Sequence, residues 1–251
     1  MKTFATLFRI ELKLSLRGMD MIIFALGMPV VVLVILGMLY GDKPAFAGAP
    51  YRFLDQSFGA GASIAICAGG MMGLPLVVSD YRSRQILKRL RVTPVHPAMI
   101  LFVQVAIQAL YALVSLLVLL AVATLFFDFR MRGNPLLFVL GWLLVLVSMY
   151  SIGMMVGGIS RNTKTAGIIA SILYFPMLVF SGATLPYEVM PPVLQQVVQV
   201  LPLTQGIHLL KASTLGLPAQ QAAGAIVLLS LIALACTAVA IRGFKWESGP
   251  G

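Results

Sequence analysis

Long apolar stretches separated by short polar segments make up most of the chain. Six of these stretches are close to or above the length at which a helix crosses the hydrocarbon core of a bilayer, about 20 residues. They cover residues 21–40, 58–78, 98–127, 135–159, 165–181 and 222–241. The pattern predicts an all-α integral membrane protein with six transmembrane helices. We expect one domain over residues 1–247, and the last four residues, Ser-Gly-Pro-Gly at 248–251, are typical of a cloning remnant.

An amphipathic helix is predicted over residues 2–18, ahead of the first span. At 100° per residue its polar stripe is narrow and faces away from its apolar side chains. Such a helix is expected to lie along the membrane surface. Glu11 falls within the apolar face, where a buried carboxylate needs a basic or N–H partner. The stripe consists of Lys2, Thr6, Arg9, Lys13 and Arg17, and the opposite face includes Phe4, Leu7, Phe8 and Leu14.

A strongly basic segment, Ser79–Pro97, joins the second and third spans. Read as a helix, it places Ile86, Leu87 and Leu90 on one side and the basic groups on the other. Pro94 and Pro97 would end this helix because they lack the N–H donor that a helix interior needs. Two interpretations remain open: the segment only fixes topology, or it is a short helix presented to a soluble partner. Its basic residues are Arg82, Arg84, Lys88, Arg89 and Arg91.

Prolines interrupt the segment between the fifth and sixth spans. Between Pro192 and Pro202 the apolar and polar positions alternate at helical spacing, without any charge. This pattern predicts an amphipathic helix of about three turns that dips into one leaflet and returns. The residues that mark the broken element are Ser181, Gly182, Pro186, Pro191 and Pro202.

Composition and charge agree with a membrane protein. Hydrophobic residues make up 60% of the chain and charged residues 10%, and the mean hydropathy is +0.99. The net charge of +10 does not indicate nucleic-acid binding, because the basic residues occupy short loops between apolar stretches. With the N-terminus inside, 13 of the 18 Lys and Arg residues are cytoplasmic. This bias predicts that both termini and the basic segment lie in the cytoplasm.

Several kinds of chemistry find no support in the sequence. The predicted spans contain no ionisable side chain other than cysteine and tyrosine, so the relay groups of proton-coupled transporters are missing. No GxxxxGK[ST] phosphate-binding loop occurs, so ATP hydrolysis by that route would need another polypeptide. His96 and His208 are isolated from Cys67 and Cys236, and neither a metal site nor a disulfide framework is predicted.

Three motifs in this order resemble the membrane subunit of a type-two ABC exporter. They are D-Y-R-x-x-x-I-L-K-R-L-R-V-T-P from Asp80, S-G-x-x-x-P-x-x-x-x-P from Ser181, and L-P-L-T from Leu201. Asp80 stands where such proteins often have glutamate. The resemblance implies a cell-membrane protein, plasma or inner, that works as a dimer of permease chains, identical or related. Two separate ATP-binding cassette subunits would bind ATP and magnesium, so no cofactor is expected in this chain.

The resemblance also implies roles for particular residues. The broken element would form re-entrant outer helices, and the substrate path would lie at the dimer interface. The segment between spans two and three would be a cytoplasmic coupling helix that contacts the ATPase. Its residues are Asp80, Tyr81, Arg82, Arg84, Ile86, Leu87, Lys88, Arg89, Leu90 and Arg91.

Two GxxxG motifs, Gly69–Gly73 and Gly153–Gly157, would let another helix approach closely and offer a route to dimerisation. The spans also supply methionines that could form an adaptable apolar wall, which favours a hydrophobic or amphipathic cargo such as a drug, antibiotic, peptide or lipid-like compound. Each methionine could equally face lipid. Two other functions stay open: a passive channel or secondary carrier, and a regulatory membrane subunit that transports nothing. The methionines are Met71, Met72, Met154, Met155 and Met177.

Overall fold

The computed structural model describes residues 2–18, 23–40, 43–45, 50–86, 97–182 and 191–243. Within these ranges the chain is helical, and its only extended pairing is an isolated bridge between Pro44 and Arg52. The helices are α1 (Lys2–Arg17), α2 (Met28–Tyr40), α3 (Phe53–Cys67), α4 (Leu74–Ser83), α5 (Pro97–Phe127), α6 (Pro135–Ile159), α7 (Thr163–Phe180), α8 (Pro192–Val198), α9 (Pro202–Leu215) and α10 (Ala219–Gly243).

Two π-helical segments extend this set. Ile23–Gly27 leads into α2, and Ala68–Gly73 joins α3 to α4, so that Phe53–Ser83 forms one continuous helical rod, here called the central helix. Among the described residues, five helices are long and apolar enough to cross a membrane. The predicted first span is represented by a shorter apolar helix, Ala25–Tyr40. An all-helical membrane fold is confirmed, while the count of six spans stays a prediction.

The central helix lies inside the bundle. Most of its residues are buried, whereas fewer than a third are buried in the apolar windows of α5, α7 and α10. Large apolar side chains such as Leu125, Ile172 and Leu234 therefore point outwards. This distribution suits a protein whose surrounding solvent is lipid, because apolar side chains then need no shielding from water.

Glycines allow the central helix and α6 to pack backbone against backbone. A Cβ atom built on Gly153 would fall on the carbonyl oxygen of Gly70 and lie 2.9 Å from its carbonyl carbon. One turn further on, a Cβ atom on Gly157 would lie 3.0 Å from Val78 Cβ and 3.1 Å from Pro75 Cα. The Gly153–Gly157 motif is thus used for packing within one chain, and it is not the route to dimerisation that we expected.

The central helix is longer than the predicted span 58–78 at both ends. It begins at Phe53, inside the expected polar loop, because Asp55 accepts a hydrogen bond from the backbone N–H of Arg52 (3.3 Å) and caps the helix. It ends at Ser83, beyond Arg82. The added turns contain charged side chains, since Asp55 and Arg82 are only 2% and 3% exposed, whereas the predicted span 58–78 contains none. Both lie near helix ends and both have polar partners.

The basic segment is not one uninterrupted helix after Ser79. Its first residues continue the central helix, and the helix stops at Arg84 and Gln85, where Gln85 adopts a left-handed conformation (φ 55°). This conformation is unfavourable inside a right-handed helix of L-residues. Leu87, Lys88, Arg89, Leu90 and Arg91 lie outside the described residues, as do Pro94 and His96.

Candidate functional site

Side chains from three helices meet near the end of the central helix. The Tyr81 hydroxyl, from α4, donates a hydrogen bond to Glu11 Oε2, from α1. The Gln104 side chain, from α5, donates through Nε2 to Glu11 Oε2 (3.0 Å) and to the Tyr81 hydroxyl (2.8 Å). Gln104 is buried, and Glu11 and Tyr81 are half-buried. The Glu11 carboxylate, on an otherwise apolar face, therefore has two hydrogen-bond donors, which satisfies the requirement for burying it. We call Glu11, Tyr81 and Gln104 the polar triad.

Apolar contacts and a further hydrogen bond support the docking of α1 on α5. The Tyr111 hydroxyl donates to Ser15 Oγ (2.9 Å), one turn along α1 from Glu11. Around this line Leu7, Phe8 and Leu12 pack against a small buried cluster on α5 and the π-helical turn. The buried face of α1 is thus the face that contacts α5. The cluster consists of Ala25, Val103, Ile107 and Tyr111.

The remaining surface of α1 is exposed, and part of it is apolar. Arg9, Lys13 and Arg17 are exposed on the face away from α5, as the periodicity predicts. Leu14, which we placed with the apolar face, is also exposed, as is Ile10. These two aliphatic side chains lie between the buried face and the basic face. A helix at a membrane surface would present such a flank to lipid, although its position at the interface stays a prediction.

Arg82 ties the end of the central helix to the end of α6. Its guanidinium donates through Nη1 to the carbonyl oxygen of Gly158 (2.8 Å), and the side chain is buried. The neighbouring hydroxyls of Ser83 and Thr163 lie 3.4 Å apart. Arg82 therefore does not belong to the solvated basic face expected for it, and it serves as a structural contact. Arg84 does remain exposed and forms an ion pair with Asp80 (2.9 Å).

The described part of the predicted coupling segment is gathered at one end of the bundle. Asp80, Tyr81 and Arg82 lie on the last turn of the central helix, Arg84 caps its end, and Ile86 follows. The chain continues at Pro97, where α5 begins. The connection that contains the rest of the basic segment therefore leaves from and returns to this end, beside the polar triad.

The other predicted element, after α7, is described only in part. The backbone N–H of Ser181 donates to Met177 O (3.0 Å) and closes α7, and Gly182 follows with a left-handed φ of 86°. Pro186 lies outside the described residues. Pro191 precedes α8, and Pro202 is the first residue of α9, where its missing N–H is not needed.

The helix α8 is shorter than the three turns predicted, since it ends at Val198. Within it, Val198 is buried, while Val193 and Val197 are exposed. The apolar face is therefore only partly covered by the chain: Leu194 is half-buried, and two valine side chains remain outside. The insertion of α8 into one leaflet stays a prediction.

The methionines proposed as path walls pack inside the chain. Met71 and Met177 are buried in the main apolar cluster, and Met72, Met154 and Met155 are partly buried against it. They fill the interior of one copy, so their arrangement gives no support to a methionine-lined path within it. Within the described ranges, no group of three or more His, Cys, Asp or Glu side chains is close enough together to hold a metal ion.

Sequence reasoning missed the glutamines of α5. Gln104 completes the polar triad, and Gln108, one turn later, is also buried. The Gln108 Oε1 atom and the Tyr150 hydroxyl each lie 3.2 Å from the position of a Cβ atom on Gly69, in the π-helical segment. The available signal was the spacing of two amide side chains, i and i+4, in an otherwise apolar span.

Comparison with known proteins places this geometry in context. The model of the ABC-2 type transporter family matches residues 2–215. Two curated relatives, both described as inner membrane transport permease YhhJ, come from Escherichia coli (strain K12) and Shigella flexneri. Each is 29% identical to the chain over 132 residues, which is 52% of this chain and 35% of the relative. The match therefore spans about a third of the length of those relatives.

Proposed function

The chain belongs to the ABC-2 type transporter family, and we propose that it is the membrane subunit of an ATP-driven exporter. Separate ATP-binding cassette subunits would bind ATP and magnesium and hydrolyse the nucleotide. The sequence supports this division of labour because it contains no GxxxxGK[ST] loop. The energy for transport then enters through contact with the ATPase.

The observation that carries the proposal is the attachment of the basic segment to the most buried helix. The segment begins where the central helix ends, and Arg82 bonds that end to Gly158 on α6. Tyr81, on the same turn, bonds to α1 and lies against α5 through the polar triad. A displacement of the segment by an ATPase would therefore act on the central helix, α1, α5 and α6 together.

The proposed arrangement in the membrane has six spans, with the basic segment and both termini in the cytoplasm. Arg82 and Arg84 lie at the end of the bundle that contains Gly158 and Thr163. The opposite end contains Arg52, Arg130 and Arg132. Over the whole sequence, 13 of the 18 Lys and Arg residues belong to segments on the first side in this arrangement, which supports its cytoplasmic assignment. On this arrangement α1 lies on the inner leaflet with its basic stripe towards lipid head groups.

We place the transport path between two permease copies. The centre of one copy is filled by the central helix, which packs backbone to backbone against α6. The exposed apolar faces of α5, α7 and α10 offer surface for a second copy and for lipid. Such a path would be apolar, which favours a hydrophobic or amphipathic cargo, and the broken element around Ser181 and Pro202 would close it on the outer side.

Replacing Leu90 with Asp tests the coupling role. If the segment docks in a groove of the ATPase, an unpaired charge in that groove removes buried contact, where loss of one packed leucine costs about 2–5 kcal/mol. We expect loss of ATPase co-purification and of nucleotide-dependent transport in vesicles. Membrane abundance should stay normal, because the basic residues still hold the segment inside.

Neutralising Lys88, Arg89 and Arg91 together provides the contrasting variant. A segment that only fixes topology would make this variant insert poorly and would leave Leu90→Asp almost silent. Normal ATPase binding and transport in Leu90→Asp would refute the coupling role. Transport by the purified chain without nucleotide would instead identify a channel or secondary carrier.

A further inference from the structure

A charged pocket lies at the end of the bundle opposite the polar triad. It has a volume of about 430 Å³ and is lined by Arg52, Asp55, Asp128, Arg130 and Arg132. Three guanidinium groups and two carboxylates leave the lining with one positive charge. Few residues of the chain are charged, so five charged side chains in one pocket are a distinct feature. They have no role in the proposed coupling to an ATPase.

Arg52 and the two carboxylates hold the pocket together. Arg52 donates to the carbonyl oxygens of Phe127 (3.2 Å) and Asp128 (2.7 Å), and so joins the start of the central helix to the end of α5. It also forms an ion pair with the buried Asp55 (3.3 Å). Asp128 forms a longer ion pair with Arg130 (3.4 Å), in which both side chains are exposed. The carboxylates are thus matched to Arg52 and Arg130.

Arg132 carries the excess positive charge. Arg130, whose ion pair with Asp128 is long and exposed, keeps further guanidinium N–H groups for a second partner. The side chain of Arg130 is 83% exposed, and Arg132 is also exposed. Arg132 donates through Nη1 to the carbonyl oxygen of Pro50 (2.7 Å), which fixes the direction of its guanidinium. Guanidinium groups present several N–H donors in a planar fork and bind phosphate oxygens in pairs. The chemistry of the pocket therefore suits a phosphate-bearing anion.

The position of the pocket along the bundle favours a lipid as the source of that phosphate. The central helix begins at Phe53, α5 ends at Phe127 and α6 begins at Pro135, so the pocket is level with the ends of three apolar helices. Head groups of a bilayer lie at this level, whichever side of the membrane it is. In the last turn of α5, just before Asp128, Leu125 is 80% exposed and Phe126 is also exposed, so both present apolar surface on the membrane side of the pocket.

We propose that this pocket binds the phosphate of an anionic phospholipid head group. Arg130 and Arg132 donate hydrogen bonds to the phosphate, and Leu125 and Phe126 contact the acyl chains. Arg52 and Asp55 hold the site in shape and do not need to contact the lipid. A lipid bound here would bridge the loop after α5 to the start of the central helix, and the inference is independent of the transport direction and of the ATPase.

Native mass spectrometry of the full chain in detergent, with phosphatidylglycerol as the probe, tests the proposal. Each basic group near an anionic lipid contributes to the free energy of binding. Arg130→Gln should therefore weaken the tightest lipid binding about fivefold. The double variant Arg130→Gln with Arg132→Gln should weaken it by about tenfold or more. Arg161→Gln is the matched control, since Arg161 is exposed in the loop at the other end of the bundle, and it should bind lipid as the unmodified chain does.

The unfolding temperature of each variant shows whether weaker lipid binding is caused by loss of the fold. The single variant changes an exposed side chain and should unfold at the unmodified temperature, so it decides the outcome even if the double variant is destabilised. Unchanged phosphatidylglycerol binding in Arg130→Gln and in a folded double variant would overturn the proposal.

A second arm separates a lipid from a free phosphate group. For a lipid, Leu125→Ser with Phe126→Ser should also weaken phosphatidylglycerol binding, and inorganic phosphate at millimolar concentration should not displace it. If inorganic phosphate displaces the lipid and the apolar substitutions have no effect, the pocket binds a soluble phosphate and the assignment to a phospholipid is wrong.

Discussion

At the scale of single residues, the absence of a side chain decides how the central helix and α6 meet. Gly70 and Gly153 face each other so closely that a Cβ atom on Gly153 would overlap the Gly70 carbonyl oxygen. Backbone atoms cannot move aside as the end of a flexible side chain can. Close approach through small residues is a common source of helix association in membranes, where lipid weakens the hydrophobic drive between helices.

Gly153→Ala should therefore destabilise the fold. Forcing an additional methyl group into a packed contact costs about 1–3 kcal/mol, and here the neighbour is backbone. We expect a lower unfolding temperature in detergent and less monodisperse protein in size-exclusion chromatography. Gly224→Ala is the control, because a Cβ atom on Gly224 meets nothing within 4 Å and alanine favours helix by up to about 1 kcal/mol. Equal behaviour of the two variants would contradict the proposed backbone contact.

At the scale of elements, α1 is positioned by specific polar contacts as well as by its amphipathic pattern. The pattern alone would allow several rotations of the helix about its axis. Glu11 and Ser15 select one of them, because their partners Gln104 and Tyr111 lie on one face of α5. Buried polar contacts of this kind restrict geometry more strongly than apolar packing does, since an unsatisfied carboxylate is costly.

Tyr81→Phe should loosen α1 without disturbing the apolar core. The substitution removes one donor to Glu11 and leaves a partly buried carboxylate with Gln104, at a cost of about 1–3 kcal/mol. We expect faster hydrogen exchange over residues 2–17 and reduced nucleotide-dependent transport. Tyr40→Phe is the matched control, because Tyr40 is exposed at the opposite end and contacts Phe53 through its ring. Unchanged exchange in α1 would show that the triad does not hold this helix.

At the scale of the whole molecule, charge is separated into two ends with an apolar belt between them. Contacts of Arg82 and Ser83 gather the segments that we assign to the cytoplasm. Contacts of Arg52 and Arg132 gather those that we assign to the outside. The pairing of loops in space therefore agrees with an alternation of spans, although it does not say which end is inside. The excess of Lys and Arg makes that assignment.

Cysteine labelling of intact cells tests the orientation. In a background with Cys67 and Cys236 replaced by alanine, a membrane-impermeant maleimide should label Ala47→Cys and Glu188→Cys but not Gln85→Cys. Labelling at position 85 should appear once the cells are permeabilised, which controls for accessibility of the thiol. Strong labelling at 85 in intact cells would reverse the topology and remove the basis for the coupling role.

Hydropathy alone determined the class of the protein and most span positions. The predicted spans 98–127 and 135–159 agree with α5 and α6 to within one residue. The family motifs could likewise be recognised in the sequence, and the ABC-2 assignment is confirmed by the family match. These features are local: the length of an apolar run, the period of an amphipathic helix and the order of short motifs depend on neighbouring residues.

Only the tertiary structure decided which helix is central and what surrounds the polar groups. The partners of Glu11 lie 70 and 93 positions away along the chain, and that of Arg82 lies 76 away. Apolar spans have nearly the same composition whether they face lipid or protein, so hydropathy does not distinguish the central helix from its neighbours. The early start of that helix at Phe53 and the internal use of Gly153 follow from contacts between segments that are distant in sequence. Such contacts appear only when the helices are packed.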